Sequence, residues 1–123
     1  MSTLLNLKSA SEILRTEADL RHMLGMVAST LGDQIAEIEA ALARDDVKGA
    51  HAVVHQLKGF LPVFCTASLA DELAALAALS REGSAQEVGP QFARVQPMLV
   101  QFDAEVKAWL AQAPREGQGV IRP

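Results

Sequence analysis

Apolar residues at Leu20, Met23, Leu24, Val27, Leu31, Ile35, Ile38 and Leu42 recur at steps of three and four, a period that a helix gathers onto one face. Such a stripe must be buried against another element. Thr16 followed by Asp19 supplies a capping signal before it, so the spacing predicts one long helix over residues 17–44. Gly25 and Gly32 interrupt that helix, each at about 1 kcal/mol against Ala, and imply close packing or a bend.

The pattern repeats downstream. Asp45 and Asp46 offer an N-cap for a helix from Val47 to about Phe64, with Pro62 removing a backbone donor near its end. Thr66 or Ser68 caps a following helix in which Leu69, Leu73, Leu76 and Leu79 share one side, and Gly83 stops it. A last helix carries Phe92, Val95, Leu99, Phe102, Val106 and Leu110, with Gly89 and Pro90 suited to its first positions and Pro97 to a kink. Ser9 with Glu12 marks a short additional helix near the start. The expected fold is all-α: an antiparallel four-helix bundle with a short additional N-terminal helix, over residues 9–113. Residues 1–8 and 114–123 show no periodicity and are expected to be a flexible lead-in and a flexible tail.

Composition narrows the function classes. A chain of 123 residues, half of them hydrophobic, suits one domain with one core. Its apolar runs fall short of the ~18 residues a membrane span requires, so no direct membrane insertion is expected. A net charge of −4 disfavours a nucleic-acid partner, which would call for a broad basic face. The single cysteine, Cys65, allows no intramolecular disulfide and reads as a small core residue. With no basic-then-apolar segment at the start, the cytoplasm is the expected compartment.

The third helix carries the chemistry. Wound at about 100° per residue, it puts Ala50, Val54, Leu57, Leu61 and Phe64 on one arc, and His55 lies well away from them. Gly59 follows one turn later on the outer face, with His51 and Lys58 on the shoulder, close enough to His55 to interact. Glycine at an exposed helix position sacrifices stability that Ala would supply, unless something must approach the backbone there. Residues 47–70 contain two lysines and no carboxylate, so an approaching anion meets a favourable field around His55.

The string His55-Gln56-Leu57-Lys58-Gly59 resembles the phosphoacceptor signature of histidine-containing phosphotransfer (HPt) domains, and two helices before it and two after extend the similarity over most of the chain. The resemblance implies that His55 accepts a phosphoryl group from the aspartyl phosphate of a response-regulator receiver domain and passes it to another receiver. It implies that Lys58 helps neutralise the phosphoryl charge and that Gly59 admits the partner, with His51, Gln56 and Pro62 on the docking surface. The expected partners are receiver domains and a hybrid sensor histidine kinase. The chain is expected to be a monomer with no cofactor of its own, Mg²⁺ residing in the receiver, and to lack kinase activity; it has no glycine-rich nucleotide loop. Phe60 and Leu61 stand where the family often has small or hydroxyl residues, Cys65 about where it has glycine, and Ala77 roughly where some members have glutamine.

Two rival readings use the same residues. His51 and His55, one turn apart, have the spacing of a helical metal-binding pair, but no third ligand is evident and Lys58 would repel a cation, so no metal site is expected. A non-catalytic helical interaction module regulating a signalling partner would leave His55 incidental. Elsewhere, His22 reads as a boundary residue, Trp109 as partly buried packing, and Met23, Met26 and Met98 as core. Phe60 either extends the core or offers a receiver an apolar contact.

Overall fold

The computed structural model describes residues 3–14 and 16–112. These form α1 (Lys8–Ile13), α2 (Glu17–Ala43), α3 (Val47–Phe60), a 3-10 turn at Leu61–Val63, α4 (Ala67–Glu82) and α5 (Ala85–Ala111). The protein is an all-α helical bundle in which α2 and α4 each pack against both α3 and α5. The expected tail at residues 114–123 lies outside the described residues.

Local chemistry explains most of the boundaries. Thr16 Oγ1 accepts the Asp19 amide at 3.0 Å and starts α2 as expected. Asp45, with φ of 62°, makes the left-handed turn out of α2, and Asp46 caps α3 by accepting the Gly49 amide at 2.9 Å. That backbone hydrogen bond is the main reason the Asp46 carboxyl lies below its usual range. The third helix stops at Phe60, short of the expected Phe64. Pro62 has no N–H to continue the ladder, so the chain tightens into the 3-10 turn. Thr66 stands at the N-cap of α4 but bonds to the Ser68 hydroxyl rather than capping.

Two helix starts differ from expectation. Ser9 does not cap α1; the Lys8 amide is received by Asn6 Oδ1 at 3.0 Å. The last helix begins at Ala85 rather than near Gly89, because Ser84 and Glu87 form a reciprocal capping box. Pro90 and Pro97 therefore both lie inside α5, which runs continuously through them.

The core follows the apolar stripes, with Leu20, Leu24, Leu31, Leu73, Leu76, Leu99 and Phe102 fully buried. Met26 departs from it and is 51 % exposed. Neither Gly25 nor Gly32 is a close-packing site, since a Cβ at either would meet nothing within 4 Å. Gly32 is exposed in a helix interior, so Gly32→Ala should raise stability by about 1 kcal/mol in denaturant unfolding.

The expectation of a loose lead-in is corrected for the described part of residues 1–8. Leu4 and Leu5 are buried, and Leu5 forms an antiparallel bridge with Cys65. The Asn6 amide donates to the Phe64 carbonyl at 2.8 Å and the Thr66 amide to the Leu4 carbonyl at 2.9 Å. Glu105 Oε1 of α5 accepts the amides of Leu4 and Leu5, both at 2.9 Å. Helical periodicity could not reveal an extended segment whose partners come from two distant regions of the chain.

Burial would raise the Glu105 carboxyl, but hydrogen bonds from Leu5, Gln101, Leu4 and Thr3 outweigh it and hold the group down at about 2. A carboxyl lowered on folding stabilises above its ordinary value of 4.5, and that contribution is lost as pH falls towards about 2. Glu105→Gln should therefore lower the denaturant midpoint at neutral pH, with the gap from the parent protein closing as the titration approaches pH 2. Burial likewise pushes the Cys65 thiol up to about 11, with partial relief from the Ala70 amide.

Candidate functional site

The site is the outer face of α3. Ala50, Val53, Val54 and Leu57 of this helix are buried, which fixes its rotation about its own axis. His55, Gln56 and Gly59 are exposed, Pro62 is exposed on the following turn, and His51 and Lys58 are half-buried on the shoulder. All six residues singled out in the sequence thus lie on or beside one accessible strip. Ala77 is buried and presents no polar group to that strip.

Two imidazoles form the centre of the strip. The rings of His51 and His55 stack with centroids 5.9 Å apart and planes inclined by 29°. His51 Nδ1 lies 2.8 Å from Ser80 Oγ on α4, whereas no hydrogen bond engages the His55 ring among the described residues. Ser80 was not anticipated. The signal was present, because Leu69, Leu73, Leu76 and Ser80 follow one helical stripe, and a hydroxyl on a buried stripe requires a partner. Leu79, assigned to that stripe, is only half-buried.

The surroundings favour an anion. Lys58 lies three residues after His55, on the same side of the helix, and forms no ion pair among the described residues. A Cβ at Gly59 would meet nothing within 4 Å, so packing inside the chain does not require glycine there. Phe60 is half-buried against the core with its ring 5.2 Å from Phe64, and it also lines a surface groove with Val27, Thr30, Gln34 and Gln56. It extends the core while leaving part of its surface open.

Chemically, an exposed imidazole with an unshared nitrogen lone pair is a nucleophile, and an ammonium one turn along suits a multiply charged electrophile. Among the described residues no group of three or more His, Cys, Asp or Glu side chains is placed to hold a metal ion. His22 is exposed on α2, and Trp109 is half-buried with the Arg21 guanidinium 4.8 Å from its ring centroid. No described helix is long and apolar enough to cross a membrane.

The family model for the Hpt domain matches residues 22–113. No curated protein and no solved structure matches the chain.

Proposed function

The chain belongs to the Hpt domain family, whose members are phosphotransfer intermediates in two-component signalling, and from that premise we propose that His55 is its phosphoacceptor. In this reading, His55 takes a phosphoryl group from the aspartyl phosphate of one receiver domain and gives it to the aspartate of another.

The step conserves its parts. The lone pair of one nitrogen of neutral His55 attacks phosphorus, and an N–P bond forms. The bond from phosphorus to the aspartyl oxygen breaks, and its electron pair stays on the departing carboxylate. The second ring nitrogen keeps its proton throughout. Because the transition state is loose and its charge rests on the peripheral oxygens, catalysis consists of in-line placement and electrostatic stabilisation. Lys58 supplies a cation beside those oxygens. Gly59 leaves the main chain bare so that the receiver can come close, and Gln56, Pro62 and His51 border its path. Mg²⁺ resides in the receiver, and the chain acts as a cytoplasmic monomer without kinase activity, supplied through receiver domains by a hybrid sensor histidine kinase.

The observation that carries this reading is an exposed imidazole followed, one turn on, by an exposed glycine that nothing inside the chain requires. Incubation with a panel of phosphorylated receivers tests it. Acid-labile phosphate should appear on the chain with at least one of them; no transfer from any would instead favour a non-catalytic helical interaction module.

A further inference from the structure

Ser80 is the one buried polar side chain among the described residues, 2 % exposed. A hydroxyl has a single proton to donate and two lone pairs with which to accept. Ser80 Oγ lies 3.1 Å from the Ala77 carbonyl, which can only accept, and the hydroxyl donates to it across one helical turn. With the proton there, the shorter 2.8 Å contact with His51 Nδ1 is donated by the ring, one of the two directions that the imidazole tautomers allow. In that arrangement His51 carries its proton on Nδ1, and in either arrangement its ring plane is tied to α4 through a buried anchor. The other flank of α3 faces α2 through Gln56, Leu57 and Phe60, so the anchor acts on one side of the helix only.

This tethered ring is the one that stacks on His55 at 5.9 Å. We infer that His51, locked by Ser80, is a positioning residue that holds the His55 ring in the orientation needed for in-line attack. The inference rests on His55 being the phosphoacceptor. An exposed imidazole on a helix turns about two side-chain torsions, and only some of those orientations aim a lone pair along the line of phosphoryl transfer. Stacking against a ring that is itself fixed removes part of that freedom before the receiver arrives. Ser80 thus acts on the reacting nitrogen through two contacts, without touching it.

Ser80→Ala removes the anchor with little change in volume. Single-turnover transfer from a saturating phosphorylated receiver should slow roughly threefold to tenfold, the range of one aromatic pair. The receiver concentration giving half-maximal rate should stay unchanged, and Ser80→Thr, which restores the hydroxyl, should recover the rate. Nitrogen chemical shifts should place the His51 proton on Nδ1 in the parent protein and report loss of that preference in Ser80→Ala. If Ser80→Ala unfolds, Ser80→Cys, which keeps the side-chain size and replaces the hydroxyl by a weak hydrogen-bonding group, makes the same kinetic test. Parent-like rates in the folded variants would overturn the inference while leaving His55 as acceptor. So would a shift confined to the half-maximal concentration, which would leave His51 with its docking role alone, or an Nε2 proton on His51 in the parent. Failure of the parent protein itself to accept phosphate would overturn the functional reading instead.

Discussion

His55→Gln is expected to abolish phosphoryl transfer while leaving the bundle folded. Glutamine approximates the reach and polarity of the imidazole but has no nucleophilic nitrogen, since its amide lone pair is delocalised into the carbonyl. The position is exposed and hydrogen-bonded to nothing among the described residues, so stability should change by no more than about 0.5 kcal/mol. Helical circular dichroism and the denaturant midpoint should match the parent protein, and phosphate on the chain should fall below detection. A variant that unfolded would show that the ring supports the core; one that still accepted acid-labile phosphate would show that the nucleophile lies elsewhere.

Gly59→Glu has the second largest expected effect. The helix has open space for the new side chain, because a Cβ there meets nothing within 4 Å. The substitution should therefore preserve folding. For the receiver, however, it puts bulk and a negative charge one turn from the acceptor, facing a partner that presents an acyl phosphate. Like charges brought together at an interface cost several kcal/mol, and each 1.4 kcal/mol is tenfold, so transfer should fall by roughly 100-fold or more. Gly59→Ala separates the causes, adding a methyl without charge, and should lose less. Unchanged transfer in Gly59→Glu would mean that the partner does not approach along this face.

The elements legible in the sequence were those whose information is local and periodic. The stripe from Leu20 to Ile38, the Thr16 and Asp46 caps and the outward placement of His55 all follow from spacing within one helix. What escaped was non-local or in competition. Leu4 and Leu5 are buried through amides bound by Glu105 and a bridge to Cys65, and no short window contains both sides of those contacts. Ser84 and Glu87 were a readable capping box, but Gly89 and Pro90 offered a rival start, and the two satisfied backbone donors prevailed over proline's preference for a first turn. At the site, the strip itself was evident from α3 alone. The Ser80 anchor required knowing that α4 lies beside His51.

Peptide mapping of the phosphate after transfer from a receiver is the most direct test of the account. Under alkaline conditions that preserve phosphoramidates, the modification should fall on His55 and vanish on mild acid treatment. Phosphate on His51 or His22, or an acid-stable modification on a hydroxyl side chain, would contradict it.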